Sequence, residues 1–369
     1  MNKLLTVNCK NMDVKYDIKV NSDFSELSDY LHNLAQNGKY NYAKICIVSD
    51  SNVANIYLNG VRDILKAQCY DVYSHIIDAG EASKNFNVLN KLYEELIINH
   101  FDRGDLLVAL GGGVVGDLTG YCAATYLRGI DYIQVPTSLL SQVDSSIGGK
   151  TAIDFLKYKN MVGAFYMPKL VYININTLNT LDNAQFSAGM GEIIKHGLIA
   201  DRSYYDFIDA QKHEIKSKAS NRLIELVYGS CLIKSKVVEK DPKEKGIRAH
   251  LNFGHTVGHA IEKLSDYKLL HGQCVSIGIM AAMYISEKLG NISISDVEKA
   301  KEMLEYFDLP TTLSGLDIPA EAILDATKSD KKMRSGKIKF VVLKSVGEAT
   351  VNNEINDSLL LEAINNIIS

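Results

Sequence analysis

His255 and His259 stand four positions apart in N-F-G-H-T-V-G-H-A-I-E, in a segment whose apolar residues Val257, Ile261 and Leu264 recur at helical spacing. Residues i and i+4 share one helix face, so both imidazoles address the same point. Converging imidazoles suit a borderline cation such as zinc. His271 opens the next helical run and offers a third nitrogen. A pair at this spacing also occurs as packing or capping, so spacing alone leaves both readings open. A zinc peptidase needs a glutamate directly after the first histidine as general base, and Thr256 stands there, which argues against that chemistry. Glu192, in G-M-G-E-I-I-K-H-G, shares a helix face with Lys195. Its carboxylate would complete a site of one oxygen and two or three nitrogens; as an isolated pair it would be an exposed ion pair of little consequence.

A second chemistry is written in G-G-G-V-V-G-D, Gly111 to Asp117, directly after the apolar run Leu106 to Leu110. It holds the G-x-G-x-x-G spacing of dinucleotide-binding turns in the strand–turn–helix setting that spacing requires. Glycine lets backbone approach a pyrophosphate, and the helix N-terminus offers unpaired N–H groups to it. Tight glycine turns also occur without a ligand, and the standard fingerprint follows a domain's first strand, as this one does not. Asp117 sits poorly beside phosphate and suits a hydroxyl, for instance at the nicotinamide ribose.

Between Gln134 and Pro168 the chain reads V-P-T-S, Q-V-D-S-S-I-G-G-K-T and K-N-M-V-G-A-F. Asp144, Lys150, Lys159 and Asn160 stand there amid small, glycine-rich sequence, as expected where backbone lies close to a ligand or another segment. Lysines in that setting act as point charges for phosphate or carboxylate, the plain alternative being solvated surface lysines.

These groups need elements to hold them. Lys44 to Val48 is a β-branched run ending in Ser49-Asp50-Ser51-Asn52, turn and cap residues. A second apolar stretch, Ser74 to Ile77, ends at Asp78-Ala79-Gly80-Glu81, with a helical pattern from Asn85. Leu106 to Leu110 and Ile133 to Val135 are further strands. Strands alternating with helices predict a parallel sheet covered on both faces, with ligands at its carboxyl ends, where Asp50, Glu81, Gly111 and Thr137 fall. From about Thr177 the pattern turns helical through Ala184–Gly197, Leu223–Val238, Thr256–Leu264, Val275–Leu289 and Val297–Phe307, with a late strand at Ile338–Leu343. The expected architecture is an α/β, Rossmann-like domain over residues 1–176 and a mostly α-helical metal- and substrate-binding domain over 177–369.

The 369 residues leave room for two cores, and a net charge of −4 gives no bulk electrostatic case for nucleic acid or membrane binding. The Leu4–Val7 run is too short for a signal peptide core, and the stretch around Ile277–Ile285 falls short of the ~20 residues a membrane span needs. Six scattered cysteines without a C-x-x-C read as buried thiols in a reducing compartment, so the cytoplasm is expected.

Taken in order, G-G-G-V-V-G-D, Q-V-D-S-S-I-G-G-K-T, K-N-M-V-G-A-F, G-E-I-I-K-H-G and L-N-F-G-H-T-V-G-H-A resemble the 3-dehydroquinate synthases of the shikimate pathway, from about Asp50 to Leu343. The resemblance implies an NAD domain, a helical metal domain and a homodimer. It implies Glu192, His255 and His271 as ligands of one zinc or cobalt ion, with His259 kept for substrate and proton chemistry. It places NAD against Asp50, Asn52, Gly80, Glu81, Lys84, Gly113, Val114, Val115, Gly116, Asp117, Thr137, Ser138, Lys150, Lys159, Thr177, Leu178, Asn179 and Thr180. The implied substrate, 3-deoxy-arabino-heptulosonate 7-phosphate, carries a carboxylate and a phosphate. Its shell would be Arg128, Asp144, Lys150, Lys159, Asn160, Lys195, Lys234, Arg248 and Asn252, joined by a lysine of Asp330-Lys331-Lys332. The implied reaction is transient oxidation of an alcohol by NAD, phosphate elimination, re-reduction, ring opening and an intramolecular aldol closure. Tyr158 precedes Lys159 where the family commonly has glycine, a departure that bears on the conformation of that loop.

Three rivals share parts of this pattern. A sister cyclase such as a 2-deoxy-scyllo-inosose synthase acts on glucose 6-phosphate, which lacks the carboxylate; Lys150 and Arg248 favour the carboxylate substrate. A metal-dependent polyol dehydrogenase would release NADH, and Lys159, Asn160 and Lys195 argue for a phosphorylated substrate instead. A silent NAD-binding paralogue requires a lost ligand or lysine, and none is lost.

Overall fold

Alternate residues along two neighbouring strands, Lys44–Asp50 and Leu106–Gly111, enter different cores, as a strand's period of two requires. Ile45, Ile47, Leu106, Val108 and Leu110 join one core with Leu27, Leu31, Val61 and Leu65 from two helices. Cys46, Val48, Leu107 and Ala109 join the other with Leu89, Leu92, Val115 and Leu118. Both faces of this sheet are therefore covered, which is why its strands read as near-continuous apolar runs.

The computed structural model describes residues 2–37, 42–156, 158–266, 268–329 and 339–368. The chain divides into two units: Met1–Leu181 with Leu223–Lys243, and Asp182–Arg222 with Glu244–Ser369. In the first unit the strands are β1 (Lys3–Cys9), β2 (Val14–Asn21), β3 (Lys44–Asp50), β4 (Asp71–Ile77), β5 (Leu106–Gly111), β6 (Asp131–Pro136), β7 (Lys150–Phe155), β8 (Tyr158–Phe165) and β9 (Leu170–Asn174). Seven of them form one sheet in the order β1-β2-β9-β6-β5-β3-β4. Only the β1–β2 pair is antiparallel. Sequence reading had passed over that hairpin, although Tyr16, Ile18 and Val20 alternate with polar residues and are buried.

The chain goes from β3 outward to β4 and returns to the other side of β3 as β5, so strand order reverses between β3 and β5. Ligands in open α/β sheets bind at such a reversal. The glycine turn follows β5 rather than the first strand because β5 is the strand that borders it.

Two further features depart from the expected pattern. The run Lys150–Phe165 is an antiparallel hairpin, β7 on β8, not an irregular loop. It lies against the Gly113–Thr125 helix, where a Cβ on Gly120 would come within 2.4 Å of Thr151 Cγ2. The helix Ser220–Lys240, assigned from its position to the second domain, contributes Leu223–Lys243 to the first unit. Its Cys231 thiol meets the Gln142 carbonyl at 3.4 Å, and its Lys234 meets Asp144. The break itself falls at Leu181–Asp182, one turn beyond the expected residue 176.

The second unit is built from the helices Asn183–Ala200, Arg202–Ala210, His255–Leu264, His271–Lys288, Ile294–Tyr306, Ala320–Ser329 and Asp357–Ile368. An antiparallel pair, β10 (Phe340–Ser345) and β11 (Glu348–Asn352), stands where a single strand was expected. Ser293 and Asp296 form a reciprocal capping box, and Asp182 caps the Asn183–Ala200 helix. Among the described residues no helix is long and apolar enough to cross a membrane. Five cysteines are buried; Cys69 is exposed, against expectation, because it lies in the turn after a helix rather than in the core.

Candidate functional site

Glycines bring the second unit's histidines together. A Cβ on Gly272 would lie 1.9 Å from the Ala188 carbonyl oxygen, and one on Gly278 1.9 Å from that of Gly254. One on Gly258 would lie 2.9 Å from the Cys274 oxygen. The helices Asn183–Ala200, His255–Leu264 and His271–Lys288 thus touch backbone to backbone. Each candidate metal ligand adjoins a glycine: Gly191 before Glu192, Gly254 before His255, Gly272 after His271. Close helix approach there confines the three side chains to a small volume.

Within it, Glu192 Oε1 lies 3.6 Å from His255 Nε2 and 3.8 Å from His271 Nε2. The carboxylate is fully buried, and Oε1 has no hydrogen-bond partner. A buried, unsatisfied carboxylate oxygen is costly unless a cation meets it. Glu192 Oε2 forms a close ion pair with the buried Lys195 ammonium. The far sides of the two rings are held as well: His255 Nδ1 faces the Phe253 carbonyl at 3.2 Å, and His271 Nδ1 faces Glu262 Oε2 at 3.2 Å. Partners at Nδ1 leave Nε2 as the ligating nitrogen of each ring. This donor set of one carboxylate oxygen and two imidazole nitrogens fits zinc or cobalt.

The third imidazole, His259, is exposed, its centroid 5.1 Å from His255 and 5.7 Å from His271. One nitrogen from each of the three rings lies within 4.8 Å of the others. Burial, the Lys195 charge and the two neighbouring rings hold His255 well below the usual histidine range, so it is neutral at pH 7. Burial also acts to lower His271, but the Glu262 hydrogen bond and the Glu192 charge outweigh it and leave the ring raised. Arg248 is buried and Asn252 donates to Glu244 Oε1 at 3.0 Å, both on the short helix Ile247–Asn252 that precedes His255. Glu244 and Glu262 were absent from the sequence reading. Glu262 carried a legible signal, since it follows His259 by three residues on the same helix face.

In the first unit the expected nucleotide-binding residues gather at the carboxyl ends of β3, β4, β5, β6 and β9. Asp50 ends β3, and its Oδ1 accepts from the Asn52 and Val53 N–H groups at 2.9 and 3.0 Å, capping the following helix. Gly80, at φ 111°, turns the chain after β4 toward Glu81 and Lys84. Val114 and Val115 belong to the first turn of the helix Gly113–Thr125, which has no side-chain cap, so its leading N–H groups remain available to an anion. Gly116 serves packing instead: a Cβ there would lie 2.7 Å from Gln134 Oε1. Thr137 N–H donates to the Gly111 carbonyl at 3.0 Å, and Ser138 bonds Ser141. After β9, Asn174 anchors the Thr177–Thr180 turn, with Leu178 buried and Asn179 at the helix end.

Lys84 is nearly fully buried and forms a 2.6 Å ion pair with Asp117. Asp117 was expected to meet a hydroxyl; its carboxylate already has this cation. Desolvation pushes Asp117 up to about 6 despite Lys84, so it remains ionised at neutral pH. The Lys234 ammonium donates to Asp144 Oδ1 and to its carbonyl, both at 2.6 Å. Lys150 is exposed and Lys159 half-buried, on the β7–β8 hairpin, while Arg128 is exposed with a left-handed backbone, φ 67°. The Asp330-Lys331-Lys332 run lies outside the described residues.

The profile of the 3-dehydroquinate synthase N-terminal domain matches residues 74–188, and that of the C-terminal domain matches 189–333. A 3-dehydroquinate synthase of Ruminiclostridium cellulolyticum is 42% identical over 98% of this chain and 99% of its own. Among solved structures, the 2-epi-5-epi-valiolone synthase ValA of Streptomyces hygroscopicus subsp. jinggangensis, with NAD+ and Zn2+ bound, superposes at a TM-score of 0.87 with 21% identity, covering 96% of this chain and 97% of its own. A 2-deoxy-scyllo-inosose synthase complexed with carbaglucose-6-phosphate, NAD+ and Co2+ superposes at 0.87 with 22% identity, covering 99% and 100%. At such identities these two superpositions establish the shared fold.

Proposed function

The chain belongs to the 3-dehydroquinate synthase family and so is a phosphate-eliminating lyase that makes 3-dehydroquinate; we propose that it works with NAD and one divalent cation, zinc or cobalt. The observation that supports the cation is the buried Glu192 Oε1, unpartnered and within 4 Å of two Nε2 atoms. When bound, NAD supplies a reversible hydride acceptor and the cation a Lewis acid.

The protein's own groups divide the remaining work. Glu192, His255 and His271 hold the cation, with Phe253 and Glu262 fixing the two rings. The uncapped N-terminus at Gly113 receives the pyrophosphate of NAD, and Asp50, Asn52, Glu81, Lys84, Asp117, Thr137, Ser138 and the Thr177–Thr180 turn complete its contacts. The substrate, 3-deoxy-arabino-heptulosonate 7-phosphate, presents two anionic groups. The first unit offers Lys150, Lys159, Asn160 and Arg128, and the second offers Lys195, Arg248 and Asn252, cations and donors of the kind that stabilise charge developing on a leaving phosphate. Asp144 holds Lys234 in place by its carboxylate and carbonyl. His259, exposed, holds or moves a proton at a ring nitrogen. The active form is a homodimer.

The test is phosphate release from 3-deoxy-arabino-heptulosonate 7-phosphate by metal-stripped protein, before and after zinc or cobalt is restored, with glucose 6-phosphate run in parallel. Metal-dependent release with 3-dehydroquinate as product is expected. Turnover of glucose 6-phosphate alone would move the protein to the sister cyclases and overturn the proposal.

A further inference from the structure

Lys84 joins two segments that lie far apart in sequence. Its ammonium donates to Asp117 Oδ2 at 2.6 Å in the glycine helix and to Asn160 Oδ1 at 2.5 Å in β8, with Glu81 Oε1 at 3.6 Å. The backbone repeats the link. The Lys84 carbonyl accepts from Asp154 N–H at 2.7 Å, and Asp154 Oδ1 accepts from Asn160 N–H at 2.8 Å. Asn160 sits at φ 56°, a left-handed conformation that asparagine tolerates better than most residues, and this bulged turn of the hairpin is held from both sides.

An ammonium has three donors and no acceptor, so only the oxygen end of an amide can face it. With Oδ1 on Lys84, the Asn160 amide must turn Nδ2, its two-donor end, away from Lys84. Asn160 is exposed, so Nδ2 is offered to solvent or ligand. An amide in the opposite orientation would show its oxygen to an anion and repel it.

We propose that Lys84 is a positioning residue that fixes the Asn160 amide with its donor end toward the substrate's anionic group, and so links nucleotide and substrate binding through one ammonium. This rests on the reading that Asn160 meets the substrate. The sharing of one ammonium makes the link reciprocal: a nucleotide that settles Lys84 against Asp117 also settles Asn160, and the substrate tightens the nucleotide by the same factor.

The experiment is a double-mutant cycle of Lys84→Met and Asn160→Ala in the NAD- and metal-loaded enzyme, reading KM and kcat for phosphate release and, separately, Kd for NAD. Hydrogen bonds to a charged group are worth roughly 10- to 100-fold, so Lys84→Met raises KM by about that factor with a smaller change in kcat. In the Asn160→Ala background the same change raises KM less than about threefold, because the group being oriented is gone. Lys84→Arg, which keeps a donor, recovers most of the KM. Asn160→Asp raises KM more than Asn160→Ala, since one carboxylate oxygen pairs with Lys84 and the other faces the anion; this arm stands even if Lys84→Met fails to fold. Equal KM effects of Lys84→Met in both backgrounds, or an effect on NAD Kd alone, overturn the proposal. Failure of the underlying reading looks different: Asn160→Ala alone would then leave KM unchanged while phosphate is still released.

Discussion

The two charged clusters are assembled on opposite principles. In the first unit two buried lysines have a counter-charge in the same unit: Lys84 has Asp117, and Lys234 has Asp144. In the second unit Glu192 spends one oxygen on Lys195 and keeps the other, equally buried, beside two imidazole nitrogens. The first arrangement is complete without a ligand and adjusts to one by sharing hydrogen bonds. The second reaches full satisfaction only with a cation. A resident cation, as proposed, is served by the second; a ligand that meets groups already paired is served by the first.

Changes to the two clusters should therefore differ in kind, and the largest effect falls on the second. Glu192→Ala removes the only carboxylate among the three proposed ligands and is expected to weaken zinc binding by more than the roughly 100-fold upper range of outer partners, measured by competition with a chelator. His259→Ala is expected to retain zinc; loss of zinc there would make His259 a ligand and break the assignment.

The scaffold comes next. Gly272→Ala places a methyl group 1.9 Å from the Ala188 carbonyl, so the helices must separate. Overpacking of this kind costs about 1–3 kcal/mol, visible in the urea midpoint, and zinc affinity falls with it. An unchanged midpoint would show that the glycine contacts do not hold the cluster together. Glu262→Gln keeps the shape but weakens the acceptor at His271 Nδ1, and a fall in zinc affinity of about 10- to 100-fold is expected.

The smallest effect belongs to the first unit. Asp117 has its folded pKa raised from 3.8 to about 6, so between those values the folded chain holds a proton that the unfolded chain has lost. Its contribution to stability is therefore full below about pH 4, falls as pH rises toward about 6, and is level above. Asp117→Asn should remove that slope from urea midpoints measured across the window. A slope that persists unchanged would locate it in other groups.

Much of this contrast was legible in the chain, and the limits have physical causes. The i, i+4 histidine pair and the strand–glycine–helix turn are local patterns, so periodicity revealed them. The strand ends carrying Asp50, Glu81, Gly111 and Thr137 followed from alternation alone. What spacing could not supply was burial: Glu192 and Lys195 read equally well as an exposed pair, and only the three-helix contact puts them inside. The glycines beside each ligand were visible but carried no reading of their own, while those of the Gly111–Asp117 turn were read as room for a pyrophosphate. Gly116, Gly258 and Gly272 make room for neighbouring side chains and backbone instead. The β7–β8 hairpin was missed because apolar residues fall in adjacent pairs there, as at Ala152-Ile153 and Met161-Val162, and do not alternate, and the helix Ser220–Lys240 was misplaced because its partners in the first unit are distant in sequence.

The central claim is that NAD is used and regenerated within each catalytic cycle rather than consumed. The most direct measurement loads the zinc-bound protein with NAD, removes what is unbound, and counts phosphate released per bound NAD while NADH absorbance is followed. Many phosphates per NAD, with no accumulating NADH, is the predicted result. One NADH formed for each substrate consumed would contradict it and make the protein a dehydrogenase.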